Sequence, residues 1–253
     1  MRLEKDNLKE VSFPLGGIGS GCIGLSGNGR LIDWEIFNRP NKQSVNGWSH
    51  FAVRCLDDSG VVDARVLVSD ELDNFCGAKD SYGSGVNFFS MNGFPYFKNN
   101  TFEGNYPLAK LCFYDEHFPS KVELKAFNPF IPLDSKNSSI PSAFFEIEFE
   151  NTTEKELTFE AALSVSNPFK KTINIASDKQ LVLYDGENKE KTLPLLPIVK
   201  MYLLQITGIE VGGIAFIRII YALFGLLGKM VKNSLAVIIK KLGQGMLVQF
   251  RQR

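Results

Sequence analysis

Apolar and polar residues alternate along the chain from residue 49 to 68 and again from 110 to 167. In the segment "SAFFEIEFEN", Phe145, Ile147 and Phe149 fall on one side of an extended chain, and the glutamates between them fall on the other. Successive side chains of a strand point to opposite faces, so this pattern predicts a strand with one buried and one solvated face. A polar turn, "ENTTEKE", separates it from "LTFEAALSV", which indicates two antiparallel neighbours.

Short β-branched and aromatic runs separated by turn residues recur elsewhere, and no window before Lys191 has the spacing of a helix of several turns. These runs include "VVDARVLV", "AKLCFYDE", "SKVELKAFNPF" and "KQLVLYDGENKEK". The pattern predicts an all-β fold, an antiparallel two-sheet β-sandwich. Residues 82–106 are aromatic but broken by Gly, Asn and Pro, and are predicted to form a long loop or a pair of short strands over the sandwich.

The composition is that of an ordinary globular protein whose 253 residues suffice for a sizeable core. Basic and acidic residues are equal in number, 28 each, which argues against a nucleic-acid partner because counterion release requires a basic surface. The start "MRLEKDNLKEVSF" carries charges where a signal peptide needs an apolar segment, so we expect a cytoplasmic protein.

Cysteine and histidine offer little for metal or nucleophilic chemistry. The cysteines are Cys22, Cys55, Cys76 and Cys112. None forms a C-x-x-C pair, and His50 and His117 are the only histidines that could join them, so we predict free, mostly buried thiols, with zinc as the weaker alternative. No cofactor site is predicted.

Residues 13–40 read "FPLGGIGSGCIGLSGNGRLIDWEIFNRP", in which Gly19, Gly21 and Gly24 spell G-x-G-x-x-G. In a dinucleotide-binding unit this motif leads into a helix whose N-terminus faces a pyrophosphate. Here Asn28 and Gly29 form a hairpin turn signal between "IGL" and "RLI", so no helix is expected. The glycines are better explained by positive φ angles and close backbone packing.

This segment resembles the opening of the amino-terminal domain of glycoside hydrolase family 116, the non-lysosomal glucosylceramidase or bile-acid β-glucosidase family. The resemblance continues through residues 102–168 and covers about residues 11–191. It implies an N-terminal β-sandwich packed against a larger C-terminal barrel of helical hairpins, which carries the nucleophile and acid/base carboxylates of a retaining enzyme. No position of this chain matches those catalytic motifs, so the resemblance implies a non-catalytic region, cut off before the barrel and inactive alone.

The resemblance gives the glycine-rich segment a role in fitting under the catalytic domain. The residues predicted to lie at that interface, or on the sugar side of it, are Gly16, Gly17, Gly19, Gly21, Trp34, Phe37, Asn38 and Arg39. Ordinary core packing is the alternative for the two aromatic residues. Asp33 and Glu35 would share a strand face and are the nearest approach to an acid pair, but a solvated face or structural hydrogen bonds explain them better.

The composition changes after residue 192. One acidic residue in 193–253 stands against eight basic ones, which leaves 27 acidic and 20 basic residues in 1–192, a net charge of −7. We therefore predict a glycosidase-like sandwich in 1–192, incomplete at its C-terminal end, and an apolar basic tail in 193–253 in which "FIRIIYALFGLLGKMVKNSLAVIIKKL" could form a helix. The charged residues Lys200, Glu210 and Arg218 interrupt any segment that could span a bilayer. An apolar hairpin at the membrane surface is the remaining alternative.

The tail has the character of out-of-frame sequence. Taking the last base of each codon with the first two of the next, permitted synonymous codons turn "TGIEVGG" into Trp-Tyr-Arg-Gly-Gly-Trp, an aromatic element that the family's sandwich would contain. The codons were chosen, so this shows that a frame shift after Lys191 is permitted.

Three function classes follow from the sequence. The first, which we favour, is a non-catalytic fragment of a β-glucosidase-like hydrolase whose partner is the missing C-terminal catalytic domain. The second is a carbohydrate-binding module for a glycan or glycolipid. Its stacking platforms would be Trp34, Trp48, Tyr82, Tyr96 or Tyr106. The third is a protein that associates with membranes through residues 193–253.

Overall fold

The fold was taken from a computed structural model of the chain. It describes residues 2–8, 11–42, 44, 46, 49–69, 94–166, 170–176, 179–184, 199–209, 214–222, 235–241 and 251–252, with side chains described as far as residue 164. Within these ranges the helical elements are short: a 3-10 turn at Lys5–Leu8 and one α-helix, α1, at Ser135–Ser138.

Strands make up the rest of the regular structure in these ranges. They are β1 Arg2–Glu4, β2 Ser12–Leu15, β3 Cys22–Ser26, β4 Leu31–Glu35, β5 His50–Asp57, β6 Gly60–Val66, β7 Asn99–Asn105, β8 Leu108–Tyr114, β9 Ser120–Phe127, β10 Ser142–Asn151, β11 Leu157–Ser166, β12 Lys170–Ala176, β13 Lys179–Tyr184, β14 Val199–Ile209, β15 Ile214–Ala222, β16 Leu235–Lys241 and β17 Arg251–Gln252.

Two large antiparallel sheets carry the fold. One has seven strands in the order β1-β7-β8-β9-β10-β15-β16, and the other has five in the order β17-β14-β11-β5-β6. A three-stranded sheet, β2-β3-β4, and the pair β12-β13 complete the architecture. The prediction of an all-β, antiparallel fold is confirmed.

The core lies between the two large sheets. Along β10, Phe145, Ile147 and Phe149 are buried and the glutamates between them are half-buried, as the alternation predicts. Phe145 meets Phe51 of β5 edge-on with ring centroids 4.9 Å apart, and Phe149 stacks on Phe159 of β11 at 4.8 Å. Aromatic contacts between facing sheets are the expected packing of a β-sandwich.

The hairpin predicted at Asn28 and Gly29 joins β3 to β4, and no helix follows the glycine motif. Its tip is buried: the backbone N–H of Ser69 donates to the carbonyl of Asn28 at 3.0 Å, and the Asn100 side chain donates to the carbonyl of Gly27 at 2.7 Å. A polar turn inside the protein needs such partners because unpaired buried backbone groups are costly. The G-x-G-x-x-G segment therefore leads into a β-hairpin and not into a helix.

The described part of residues 82–106 contains a strand, as one of the two predicted alternatives allowed, but this strand belongs to the seven-stranded sheet and does not lie over the sandwich. Residues 82–93 lie outside the described residues, but Asn99–Asn105 forms β7, a full strand between β1 and β8. Phe102 of β7 is buried in the common core. Burial of Phe102 and complete pairing with β8 outweigh the weak strand preference of the neighbouring asparagines.

The described parts of residues 193–253 are strands and not the helix that the lysine spacing allowed. β14 pairs with β11, and β15 pairs with β10, so each adds to an edge at which the sandwich was expected to be incomplete. An open edge offers unpaired backbone groups, and segments rich in isoleucine favour pairing there over a helix. Within the described part of the chain, no helix has the length and apolarity needed to cross a bilayer.

Candidate functional site

The glycine-rich segment lies along one end of the sandwich, where Asn128 holds it. The backbone N–H of Gly16 donates to Asn128 Oδ1 at 2.7 Å, and Asn128 Nδ2 donates to the carbonyl of Pro14 at 2.8 Å. The backbone N–H of Asn128 donates to the carbonyl of Pro107 at 3.0 Å. The side chain and backbone of one buried residue, Asn128, therefore tie together three parts of the chain that are distant in sequence.

Gly17 packs directly on the chain around α1. A Cβ added at Gly17 would lie 2.4 Å from the carbonyl carbon of Ser139, closer than real side chains approach. The next residue, Ile18, donates its backbone N–H to the carbonyl of Ser138 at 2.8 Å. Close backbone packing was one of the two reasons predicted for these glycines, and it applies to Gly17. Gly19, in contrast, is exposed and has open space around it. Gly21 is half-buried.

Exposed apolar side chains gather at this same end of the sandwich, and we call this surface the apolar end. Its members are Tyr106, Leu108, Phe127, Phe130, Ile131 and Leu133. Tyr106 and Phe130 meet edge-on at 5.5 Å, and Leu108 and Phe127 are register partners on the outer face of β8 and β9. Clustered exposed apolar residues of this kind mark interaction surfaces more often than scattered ones do.

The remaining predicted interface residues separate into buried and exposed ones. Trp34 is only 3% exposed and its indole N–H donates to the carbonyl of Leu31 at 3.2 Å, so its ring belongs to the core. Phe37 is 42% exposed, and Asn38 and Arg39 beside it are exposed in the turn after β4. Trp34 therefore packs in the core, which was the alternative to a role at the interface. The turn that contains Phe37 faces solvent. The role of all these residues at a domain interface stays a prediction.

Asp33 and Glu35 share a face of β4, as predicted, and Lys42 holds both. Lys42 Nζ lies 3.5 Å from Asp33 Oδ2 and 3.1 Å from Glu35 Oε2. Asp33 is buried and also accepts a hydrogen bond from Ser12 Oγ at 2.7 Å. Cys22 Sγ lies 3.8 Å from Glu35 Oε2. The arrangement is a small ion-pair network at the base of the Phe37 turn.

This network does not suit acid catalysis of glycoside hydrolysis. A retaining mechanism needs one carboxyl that keeps its proton and one that is ionised. Burial lowers the pKa of Lys42, but its hydrogen bonds to the two carboxylates and their charges outweigh burial, so the pKa is raised. Lys42 therefore keeps its positive charge beside Asp33 and Glu35. The pair is therefore better explained as structural.

Replacing Lys42 by methionine should lower the free energy of unfolding by about 1–2 kcal/mol, because the buried Asp33 carboxylate loses its cation. The pKa of Lys42 is higher in the folded protein than its ordinary value of 10.5, so the ion pairs stabilise the fold fully at pH values below 10.5. This stabilisation is lost as the pH rises through the pKa of the folded state. Urea unfolding of the variant should thus show the same loss at pH 7 and pH 9.

The matched control for this change is Lys155→Met. Lys155 is exposed and pairs with Asp57 at 3.8 Å, so its loss should change the free energy of unfolding by at most about 0.5 kcal/mol. Equal effects of the two substitutions would show that the Asp33 network does not stabilise the turn.

The carboxylates on the outer face of the seven-stranded sheet are also paired with lysines. Lys110 lies 2.5 Å from Glu123, and Lys125 lies 2.7 Å from Glu148 and 3.4 Å from Glu146. Burial raises the pKa of Glu123, but hydrogen bonds from the two lysines outweigh burial and lower it. The carboxylates named here therefore form ion pairs with lysines on this face.

The described thiols are free and shielded. These thiols are free, as predicted, but of the three only Cys55 is buried, whereas Cys22 and Cys112 are half-buried; Cys76 lies outside the described residues. Burial raises the pKa of all three thiols, that of Cys55 to about 12, so little thiolate forms at neutral pH. Among the described residues, no group of three or more His, Cys, Asp or Glu side chains could hold a metal ion.

The aromatic residues considered as sugar platforms are in different environments. The face of Trp34 is covered by the core, whereas Tyr96 and Tyr106 are about half exposed, at 46% and 50%. Trp48 and Tyr82 lie outside the described residues. Tyr106 belongs to the apolar end, where its neighbours Phe130 and Ile131 are apolar and offer no polar side-chain atoms to sugar hydroxyls.

Three features of this end were missed by reasoning from sequence. Asn128 and Lys42 reach their partners across turns whose geometry no local pattern reveals. The apolar run after β9, "NPFIPL", did carry a signal, because its two prolines interrupt a strand and it ends at a polar helix cap, Asp134. Apolar residues in such a turn indicate a surface that is exposed for contact.

Comparison with known proteins gives one family. A sequence model described as beta-glucosidase 2, glycosyl-hydrolase family 116 N-term matches residues 12–210. The match includes the glycine-rich segment, strands β2 to β14, and the apolar end. No curated protein matches the chain.

Proposed function

Because the chain belongs to the family of glycosyl-hydrolase family 116 N-terminal domains, we propose that it is the non-catalytic β-sandwich region of a β-glucosidase or glucosylceramidase-like hydrolase. The family match over residues 12–210 is the observation that carries this proposal. The Asp33 network supports the non-catalytic role, since Lys42 bridges the acid pair that sequence singled out. The reaction class is hydrolysis of a glycosidic bond by the enzyme to which such a region belongs.

The partner in this proposal is a C-terminal catalytic domain that supplies both carboxylates. A retaining glycosidase holds them about 5–5.5 Å apart, with the proton of the acid maintained by its surroundings. The sandwich contributes a rigid support: aromatic contacts join its sheets, and Asn128 fixes the glycine-rich segment to one end. Positioning of this kind raises rates because small displacements of catalytic groups are costly.

Hydrolysis of an aryl β-glucoside tests the non-catalytic role. We expect the purified chain to release no more aryl alcohol than the uncatalysed reaction does, at pH values from 4 to 8. The variant Asp33→Asn/Glu35→Gln should behave identically to the unaltered chain. Turnover well above background that this double substitution abolishes would overturn the proposal and make the pair catalytic.

The change of reading frame after Lys191 stays a prediction. The family match extends to residue 210, and β14 pairs with β11. The gene sequence tests it directly: the frame-shift hypothesis expects that restoring one frame downstream of the Lys191 codon extends the glycosidase-like sequence. If the second frame contains no such sequence, the frame-shift hypothesis is wrong and residues 193–253 are a genuine part of the protein.

A further inference from the structure

We propose that Asp63 protects the exposed edge of the five-stranded sheet from pairing with a second copy of this chain. Among the described strands, β6 is the last of that sheet and pairs with β5 alone. Its exposed residues are Val61 at 55%, Val62 at 48% and Ala64. An exposed edge strand with apolar side chains offers its backbone groups to any other strand, and β6 of another copy has the same groups to offer.

The outward backbone groups of β6 belong to alternate residues. The N–H of Val66 points away from β5 and donates to the carbonyl of Pro95 at 2.8 Å. Ala64 lies two residues earlier and has the same orientation, because successive residues of an antiparallel strand direct their backbone groups to opposite sides. The N–H of Ala64 is therefore the group that a second strand has to reach.

The carboxylate of Asp63 already occupies this N–H. Asp63 Oδ1 accepts a hydrogen bond from the backbone N–H of Ala64 at 2.7 Å. The other oxygen, Oδ2, accepts from Arg65, whose Nε lies 2.9 Å and whose Nη2 lies 2.8 Å away. A second strand would have to displace a charge-assisted hydrogen bond and bring its own carbonyl oxygens close to a carboxylate. Both requirements oppose pairing at this edge.

Arg65 is itself anchored, so the carboxylate that it binds is held in place. Its Nη1 lies 2.6 Å from Asp115 Oδ2 and also donates to the carbonyl of Tyr96 at 3.3 Å. The guanidinium carbon lies 5.5 Å from the ring centroid of Phe97 and 5.7 Å from that of Phe118. Ion pairs and cation–π contacts together fix the planar guanidinium in one orientation. The cap on the edge of β6 is therefore a pre-ordered part of the fold.

A β-bulge in the same strand adds to this protection. The pairing shifts by one residue between Asp63 and Val61, which face consecutive residues of β5. Val62, between them, has no register partner in β5. A bulge bends the strand and makes a regular ladder with another strand harder to form. The bulge and the charged cap are both devices by which natural sheets avoid association edge to edge.

Removal of the carboxylate is expected to open this edge to β6 of a second copy. In an antiparallel pair centred on Ala64, each copy donates the N–H of Ala64 to the Ala64 carbonyl of the other. Such a pair has two-fold symmetry, so it closes as a dimer in which both edges are covered.

The substitution Asp63→Ala tests the inference in the full 253-residue chain. Sedimentation velocity over a range of protein concentrations measures self-association. We expect this variant to associate at least about tenfold more tightly than the unaltered chain, because backbone hydrogen bonds to a second copy become available. Amide hydrogen exchange measured by NMR locates the contact: in the variant, the Ala64 amide should exchange more slowly at high than at low protein concentration.

Asp58→Ala is the matched control, because it removes the same charge from an exposed position in the turn between β5 and β6. It should sediment like the unaltered chain. If Asp63→Ala associates no more tightly than Asp58→Ala, or if the exchange of the Ala64 amide does not depend on concentration, the proposal is wrong.

A second variant distinguishes an open edge from association through unfolding, since Asp63→Ala also removes an ion pair of Arg65. Val62→Lys is added to Asp63→Ala. Val62 is exposed, so this change should leave the fold intact, and a lysine on an edge strand opposes pairing. We expect the double variant to sediment like the unaltered chain. Association that persists in it would assign the effect to the lost ion pair and overturn the protective role of Asp63.

Discussion

Replacing Gly29 by alanine is expected to lower the free energy of unfolding by about 3–5 kcal/mol, since backbone strain and overpacking act together. Gly29 has a φ of +98° at the buried tip of the hairpin between β3 and β4. A Cβ at this position would lie 2.7 Å from the carbonyl oxygen of Leu67 and 2.8 Å from the ring of Phe113. Urea unfolding followed by circular dichroism measures the loss.

Gly60→Ala separates the two contributions. Gly60 also has a positive φ, +123°, but an added Cβ would meet nothing within 4 Å, so only backbone strain should appear, about 1 kcal/mol. A loss in Gly29→Ala no larger than that in Gly60→Ala would show that the hairpin tip is not packed against Leu67 and Phe113. Turn geometry alone would then account for the glycine at position 29.

Sequence reasoning recovered the features that depend on local periodicity. The faces of β10 follow from alternation, and the hairpin at Asn28 and Gly29 follows from turn chemistry, because both are decided by neighbours along the chain. The place of β7 inside the sheet was missed because its asparagines weaken the strand signal. Pairing with β8 and burial of Phe102 fix Asn99–Asn105 there.

The candidate site was predictable only in part, for a related reason. The resemblance directed attention to the glycine-rich segment, and the structure places Gly16 and Gly17 against the chain that carries Leu133. The residues that give this surface its chemistry lie about 90 to 120 positions further along the sequence. Their proximity depends on how β2, β8 and β9 come together, which no local pattern specifies.

The acid pair shows why a motif has to be interpreted in its surroundings. Asp33 and Glu35 satisfy the simplest requirement for glycosidase carboxylates, since they share a strand face. Lys42, seven residues beyond Glu35, turns the same two groups into a structural network. A cation beside a carboxylate pair changes the chemistry of that pair. Here the cation is Lys42, which lies in the turn that follows β4.

Replacing Phe149 by alanine should lower the free energy of unfolding by about 3–5 kcal/mol, as expected for a large side chain removed from a core. Phe149 is fully buried and stacks on Phe159 with an interplanar angle of 10°, so the contact joins the seven-stranded and five-stranded sheets directly. The control is Phe144→Ala in the same strand, because Phe144 lies on the outer face, half-buried against Phe127. We expect a loss of about 1 kcal/mol there.

The two substitutions can be compared by urea unfolding at pH 7, where the charged outer face is in the same state in both variants. If Phe149→Ala is no more destabilising than Phe144→Ala, β10 does not face β11 across a core, and the sandwich is the wrong architecture. A large difference would show that the buried face of β10 carries the stability.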